Sequence, residues 1–191
     1  MDRTGDLAAA ALRIVTAHGL PAVTFRAVAA ESGWSLGAVQ KTFRTKDDLI
    51  RATLAHAQES VSTQLSIDPG RPSLRAWLVE LVMATLPLDD ARRSACLVSV
   101  AVSDRAPFDS ALARSLADWD AELRGRLALL AGRARHEGEL DPAVHGDALA
   151  RSVLAFAAGL AGQLLYDPVD EAGVLALVRS TMAALTPAPP D

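Results

Sequence analysis

Side chains that can donate hydrogen bonds or positive charge to a phosphate are concentrated between residues 24 and 46. The chain has 19 Lys and Arg residues, and its only two lysines, Lys41 and Lys46, both lie in this stretch. From Phe25 to Lys46 four basic residues stand against one acidic residue, in a chain with a net charge of −4. Such a balance also occurs on solvated helices, so charge alone gives weak support for an acidic partner. The residue types favour contact with nucleic-acid phosphates.

Two short helices joined by a tight turn are predicted to position these side chains. Thr24 is expected to cap a helix from Phe25 to about Ser32, which Gly33 breaks. Ser35 is expected to cap the next helix, from Leu36 to about Phe43. A glycine in the turn lets the chain reverse sharply, as in a helix-turn-helix that presents its second helix to the major groove. An ordinary helical hairpin with a glycine turn is the alternative interpretation.

The second helix of this pair has an apolar side and a polar side. Val39 and Phe43 are four residues apart and are expected to face inward against Val28 and Val15. Small outer residues let a helix approach the groove, and alanine or leucine can contact a thymine methyl group. The outer side consists of Leu36, Gly37, Ala38, Gln40, Lys41 and Thr42.

Apolar periodicity indicates helices along nearly the whole chain, so the predicted fold class is all α. Residues 1–48 are predicted to form a three-helix DNA-binding domain, residues 49–186 a helical ligand-binding and dimerisation domain, and residues 187–191 a disordered Pro-rich tail. Thr45 and Asp48 are predicted to form a capping box for a helix from Lys46 towards Ser66. The later helices are predicted over residues 73–86, 90–102, 108–137, 142–165 and 170–185.

Composition argues against several other classes of protein. The single cysteine, Cys96, excludes an internal disulfide framework, and its apolar surroundings favour a buried side chain over a nucleophile. The most apolar long stretch, residues 148–166, contains Arg151, Ser152 and Gln163 and is a poor bilayer span. No secretory leader is recognisable at the N-terminus, so a cytoplasmic protein is expected.

The remaining polar residues form no catalytic or metal-binding pattern. His136, Glu137, Glu139 and Asp141 straddle a predicted helix end at Gly138, where charged side chains are solvated. No histidine has a second histidine at ligand spacing, and no nucleophile motif is present. The sequence therefore predicts no catalytic residue, no metal site and no cofactor.

Residues 12–49, LRIVTAHGLPAVTFRAVAAESGWSLGAVQKTFRTKDDL, resemble the DNA-binding domain of TetR-family transcriptional regulators. The family's F-x-x-K-[DE]-x-L ending is present as Phe43, Lys46, Asp47 and Leu49. The rest of the chain, residues 132–168 in particular, more loosely resembles the C-terminal domain of the subgroup related to the choline-responsive regulator BetI. The resemblance implies an all-α homodimer that binds a palindromic operator and leaves it when a small molecule binds the C-terminal domain.

The resemblance also implies roles for single residues. It implies a base or backbone contact for Arg26, and a phosphate contact for Lys46 at a helix N-terminus, where the dipole adds to its charge. The family commonly has tyrosine where this chain has Gln40 and Thr42, and Trp34 replaces a smaller turn residue. Gln40 can still bond a phosphate or an adenine edge. The implied DNA-binding residues are Thr24, Arg26, Ser35, Leu36, Gly37, Ala38, Gln40, Lys41, Thr42 and Lys46.

Dimerisation is predicted through the last two helices. Small residues on a helix allow close approach of a partner, and larger apolar residues supply area to bury. The small residues are Ala155, Ala158, Gly159 and Gly162, and the larger ones are Leu149, Val153, Phe156, Leu160, Val174, Leu177, Val178 and Leu185. Burial of these helices within one chain is the alternative.

A largely apolar ligand pocket is predicted among the large soft side chains of the C-terminal part. These side chains are Trp77, Met83, Phe108, Trp119 and Phe156, each of which taken singly is more often plain core. Few charges lie among them, so a neutral or hydrophobic effector is expected, although a cation could rest against the Trp faces. A helical ligand carrier or enzyme with a vestigial DNA-binding domain is the alternative to a ligand-responsive repressor.

Overall fold

The computed structural model describes residues 2–62 and 73–189, which form nine α-helices and two 3-10 turns and contain no strand. The all-α prediction is confirmed. The N-terminal helices are α1 (Arg3–His18), α2 (Phe25–Ser32), α3 (Leu36–Thr42) and α4 (Lys46–Ser62), with a 3-10 turn over Leu20–Ala22. The later helices are α5 (Leu74–Thr85), α6 (Asp90–Arg105), α7 (Ser110–His136), α8 (Gly146–Leu164) and α9 (Glu171–Leu185), with a 3-10 turn over Ala106–Phe108.

Most predicted helix ends lie close to the observed ones, and the largest difference is at the start of α8. The prediction begins this helix near Pro142, whereas it begins at Gly146. The Asp141 side chain accepts a hydrogen bond from the Ala143 amide at 2.8 Å, and the Asp141 carbonyl accepts one from Val144 at 3.0 Å. This turn competes with a helix for the same backbone groups. The predicted end of α4 near residue 66 lies outside the described residues.

The helices pack as two units. The first consists of Met1–Gln64 and Pro87–Leu116, and the second of Leu65–Leu86 and Ala117–Asp191. In the first unit α1 packs against α2, α4 and α6, and α4 packs against α6. These packing units are not the two predicted domains, because α4 and α6 share a core with the N-terminal helices. The functional boundary after residue 48 stays a prediction.

The core of the first unit fixes the orientation of the α2–α3 helix pair. Val28 of α2 and Val39 of α3 have no exposed surface, and Phe43 is 5% exposed. All three belong to one buried cluster with Val15 of α1, so the predicted inward side of α3 is confirmed. Burying side chains of this size contributes about 1.5–3 kcal/mol each. The outer side of α3 is thereby held towards solvent.

In the second unit α5 packs against α8 and α9. The C-terminal end is fastened to it by polar contacts: Arg75 donates to the Thr186 hydroxyl at 3.0 Å and to the Thr186 carbonyl at 2.6 Å. The Pro187 carbonyl accepts a hydrogen bond from the Asp141 amide at 2.9 Å. The first residue of the predicted tail is therefore anchored, whereas residues 190 and 191 lie outside the described part.

Candidate nucleic-acid interface

The turn between α2 and α3 depends on one glycine. Gly33 caps α2 in the left-handed conformation, with φ 74° and ψ 0°. An L side chain rarely adopts this conformation, and glycine adopts it without steric cost. The position itself has open space, since a Cβ atom placed on Gly33 would have no neighbour within 4 Å. The backbone conformation, and not crowding, is what requires glycine here.

Hydroxyl caps begin both helices of the pair. Thr24 Oγ1 accepts a hydrogen bond from the Ala27 amide at 3.1 Å, and Ser35 Oγ accepts one from the Ala38 amide at 3.2 Å. Both capping residues are exposed. Since each oxygen acts as an acceptor in its cap, the hydroxyl proton can be donated to an incoming phosphate. The same side chain can thus start a helix and hold a nucleic-acid backbone.

The start of α4 is stabilised by the predicted capping box. The Thr45 amide donates to Asp48 Oδ2 at 2.9 Å, and the Asp48 amide donates to Thr45 Oγ1 at 3.1 Å. Hydrogen bonding from Thr45 lowers the pKa of Asp48 below its ordinary value. Lys46, the first residue of this helix, is exposed, and its Nζ donates to the Pro21 carbonyl at 3.4 Å. The lysine side chain is therefore held near the 3-10 turn over Leu20–Ala22.

The outer side of α3 contains six of the predicted DNA-binding residues. Gly37, Gln40 and Lys41 are exposed, whereas Leu36, Ala38 and Thr42 are half-buried. Thr42 Oγ1 donates to the Ala38 carbonyl at 3.0 Å. Its proton is already used within the helix, so Thr42 presents a methyl group and an acceptor rather than a donor.

The carboxylates near this surface are matched by other cations. No ion pair joins Arg26, Lys41, Arg44 or Lys46 to a carboxylate in the part of the chain that the structure describes. The nearby acids are paired elsewhere, Glu31 with Arg13 at 2.6 Å, Asp47 with Arg105 at 3.2 Å and Asp48 with Arg51. The four exposed cations therefore remain available to an anionic ligand.

Arg44 is a candidate that the sequence reasoning missed. It contributes to the local excess of basic residues, but no contact is predicted for it from the sequence. It is exposed and lies between the end of α3 and the start of α4, two residues before Lys46. Its place in the linker beside a lysine with a predicted phosphate contact was the available signal.

Trp34 in the turn has a structural role. It is half-buried and packs against the core of the first unit. The guanidinium carbon of Arg3 in α1 lies 4.9 Å from the centre of its ring, which is a cation–π contact. The large turn residue thus joins the first turn of α1 to the helix pair.

The predicted pocket residues have different environments. Phe108 belongs to the first unit and is 92% exposed, whereas the other four belong to the second unit. Trp77 is 6% exposed, and Met83, Trp119 and Phe156 are half-buried. The Trp77 indole nitrogen is buried and has no hydrogen-bond partner among the described residues. A buried donor left unpaired costs about 1–3 kcal/mol.

The predicted dimer residues also divide into two sets. Ala155, Ala158 and Gly159 of α8 are exposed, as is Leu177 of α9. The expectation that all the larger residues supply intermolecular area is wrong, because packing of α8 and α9 on α5 buries most of them within the unit. The buried residues are Leu149, Val153, Leu160, Val174 and Val178.

The described residues contain neither a reactive cysteine nor a cluster of metal ligands. Burial raises the pKa of the Cys96 thiol to about 11, so it is protonated at neutral pH. Within residues 2–62 and 73–189, no three potential metal ligands lie close enough together to hold an ion. None of the helices in these ranges combines the length and apolarity needed to cross a bilayer.

A capped helix pair with an exposed cationic side has the arrangement of a helix-turn-helix DNA-binding protein, and comparison with known proteins agrees. Residues 7–53 match the family model for bacterial regulatory proteins of the tetR family. Residues 74–187 match the model for the C-terminal part of BetI-type transcriptional repressors. The chain belongs to the TetR family of transcriptional regulators, with a C-terminal part of the BetI type.

Individual relatives cover nearly the whole chain. The nicotine-responsive transcriptional repressor HdnoR of Paenarthrobacter nicotinovorans is 26% identical over 175 residues, which are 89% of this chain and 87% of the relative. A transcriptional regulator from Rhodococcus sp. Rha1 is 25% identical, with a TM-score of 0.81 over 98% of this chain and 100% of that one. A regulator from Saccharomonospora viridis in complex with choline is 19% identical, with a TM-score of 0.78 over 95% and 93%. The chain is thus a DNA-binding transcriptional regulator of this family.

Proposed function

We propose that this protein is a repressor that binds a palindromic operator as a homodimer and is released by a small, largely apolar effector. The observation that supports DNA binding is the outer side of α3, on which Gln40 and Lys41 are exposed. A helix presented in this way fits the major groove.

The proposed contacts divide into reading and anchoring groups. Gln40 and Lys41 read base edges, while Gly37 and Ala38 allow the start of α3 to approach them. Leu36 and the methyl group of Thr42 supply apolar contact. The anchoring residues donate to phosphates on either side of the groove. They are Thr24, Arg26, Ser35 and Lys46, together with Arg44.

The proposed dimer uses the exposed sides of α8 and α9. Ala155, Ala158 and Gly159 leave room for close approach of a partner helix, and Leu177, 48% exposed, supplies apolar area. Tyr166, 78% exposed just after α8, extends the apolar surface. Twofold symmetry would place the two recognition helices about 34–36 Å apart, one turn of DNA.

The proposed effector site lies in the second unit, around Trp77, Met83, Trp119 and Phe156. The unpaired indole N–H of Trp77 supports an effector that carries a hydrogen-bond acceptor. Binding would give this buried N–H a partner and so remove the free-energy cost of leaving it without a hydrogen bond. The nicotine-responsive relative and the choline-bound neighbour support a small organic molecule. A cationic group resting on a Trp face stays an open alternative.

Release follows from differential affinity. The proposed dimer has two forms, one in which the spacing of the two α3 helices matches the operator half-sites and one in which it does not. An effector that binds the second form more tightly lowers operator affinity, at most by the ratio of its affinities for the two forms. Coupling free energies of this kind are about 1–3 kcal/mol.

Binding to the intergenic DNA beside the protein's own gene tests the proposal. A gel shift or footprint should reveal a protected palindrome, with affinity that falls steeply as salt rises. The Lys41→Ala variant should lose preference for that site over random DNA. Equal, weak binding to all DNA by the unaltered protein would instead favour a carrier with a vestigial DNA-binding domain.

A further inference from the structure

A groove in the first unit lies outside all the contacts proposed so far. It has a volume of about 350 Å³ and is lined by Leu12, Arg13, Thr16, His56, Ala91 and Ser94. These residues come from α1, α4 and α6, three helices that pack against each other within the unit. Ligand pockets in proteins range from about 300 to 1,000 Å³, so this groove has room for a molecule of one ring or a short chain.

We infer that this groove binds a small organic carboxylate with an apolar body, and that it is a second ligand site, separate from the effector pocket of the second unit. Leu12 and Ala91 supply apolar wall on opposite helices. Such a surface suits a hydrocarbon or aromatic body, while the charged group remains at the mouth of the groove.

The charge of the lining selects an anion. Arg13 carries the fixed charge of the groove, and none of the six lining residues is acidic. Its side chain lines the groove and is 57% exposed. Nε donates to Glu31 Oε1 at 2.6 Å and Nη2 to the Glu31 carbonyl at 3.5 Å. Nη1 has no partner among the described residues and can donate to a carboxylate.

The other polar groups are consistent with this assignment. The Thr16 hydroxyl donates to the Leu12 carbonyl at 2.9 Å, and the Ser94 hydroxyl donates to the Asp90 carbonyl at 2.7 Å. Both protons are therefore used inside their helices, and the two oxygens have no formal charge. His56, half-buried on α4, adds an N–H donor across the groove from α1. A single carboxylate matches this set, because Glu31 already balances part of the Arg13 charge.

The position of the groove gives a bound ligand a direct route to DNA binding. α1 and α4 belong to the same packed unit as the helix pair, and α4 begins at Lys46. A carboxylate bound to Nη1 of Arg13 shares this guanidinium with Glu31, the residue just before the end of α2. A ligand bound here therefore acts directly on the first unit, which contains the α2–α3 helix pair, and its effect need not be transmitted from the second unit.

Benzoate tests the inference, with benzamide as the uncharged probe of the same shape and benzylammonium as the cationic one. Titration calorimetry on the full chain should give saturable binding of benzoate with a Kd of the order of 1 mM, and binding about fivefold or more weaker for both other probes. Equal affinity for benzamide would overturn the claim that charge selects the ligand. Absence of saturable benzoate binding would overturn the site itself.

Variants locate the binding site. Ala91→Leu places a larger side chain in the groove and should weaken benzoate binding about tenfold, whereas the matched exposed change Ala30→Leu on α2 should leave it unaltered. Arg13→Gln should weaken it about fivefold. Trp119→Ala, in the second unit, should have no effect. Loss of binding in Trp119→Ala with full binding in Ala91→Leu would place benzoate elsewhere and contradict the inference. DNA binding is not used as a readout, so the proposed repressor function is tested separately.

Discussion

The guanidinium of Arg105, the last residue of α6, lies 3.2 Å from the carboxylate of Asp47 in the first turn of α4. The same Nη2 atom lies 3.4 Å from Asp109, which caps the start of α7 by accepting from the Ala111 and Leu112 amides. One arginine thus connects the ends of three helices beside Lys46. Arg105 also neutralises Asp47, the acidic residue next to Lys46 in the sequence.

Arg105→Ala should weaken operator binding. Without its partner, Asp47 opposes phosphate contact by the adjacent Lys46, and we expect affinity to fall by about two- to fivefold at low salt, an effect that screening reduces at high salt. Arg114→Ala, an exposed arginine on α7, is the matched control and should keep the affinity of the unaltered protein. Fluorescence anisotropy at two salt concentrations measures both. Equal reductions in the two variants would mean that only overall charge matters.

Lys46→Ala and Lys41→Ala should differ in kind. Lys46→Ala removes a phosphate contact, so affinity for all sequences should fall alike and the salt slope should decrease by about one unit for each phosphate that is no longer neutralised. Removal of Lys41 or Gln40 should also change which bases are preferred, because both lie on the outer side of α3. Competition binding with operator and random DNA separates the two effects. An unchanged salt slope in Lys46→Ala would refute the phosphate assignment.

Gly33→Ala should destabilise the first unit by about 1–2 kcal/mol, because alanine is strained at a φ of 74°. Gly125→Ala is the control: this exposed glycine in α7 also has open space around it, and its helical backbone favours alanine by about 0.5–1 kcal/mol. Chemical denaturation should therefore give shifts of opposite sign. Two shifts of the same sign would show that the turn conformation does not control stability.

Acid should weaken the cap of α4. Hydrogen bonding from Thr45 lowers the folded-state pKa of Asp48, so its contribution to stability is present above the ordinary carboxyl pKa of about 4 and is lost as pH falls through the lower folded value. Asp48→Asn should be less stable than the unaltered protein at pH 7, and this difference should shrink below about pH 4. Urea unfolding at neutral and acid pH provides the comparison. A difference that grows on acidification would contradict the assignment.

Ala158→Arg should disrupt the proposed dimer, since a long charged side chain on the exposed side of α8 prevents close approach and costs free energy to bury. Ala121→Arg on an exposed position of α7 is the matched control and should leave the assembly intact. Sedimentation at micromolar concentration distinguishes the two. A monomer for the unaltered protein, or a dimer unaffected by Ala158→Arg, would rule out the interface.

The local pattern of the sequence was sufficient for the helix pair. Val39 and Phe43 face inward because their spacing leaves one apolar side, and Thr24, Ser35 and Thr45 cap helices because short polar side chains reach their own backbone. These are interactions between residues a few positions apart, which a single sequence contains in full.

The sequence was less informative where distant segments meet. Nothing local shows that Val153 and Val178 pack inside their own unit while Ala158 stays exposed, because this depends on where α5 lies. Phe108 follows a proline in a 3-10 turn and is exposed, although its type favours a core. The groove that contains Arg13 and His56 combines residues more than 40 positions apart, and neither residue has a motif to mark it.

The proposed DNA-contacting residues differ in how freely they can mutate, because two of them also cap α2 and α3. Thr24 and Ser35 are needed to begin their helices whatever sequence the operator has, whereas the side chains of Gln40 and Lys41 make no hydrogen bond or ion pair within the described part of the chain. Duplicated copies of such a gene could therefore acquire new operators through changes at Gln40 and Lys41, while the capped α2–α3 helix pair stays the same. Divergence of target genes would then require no loss of fold stability.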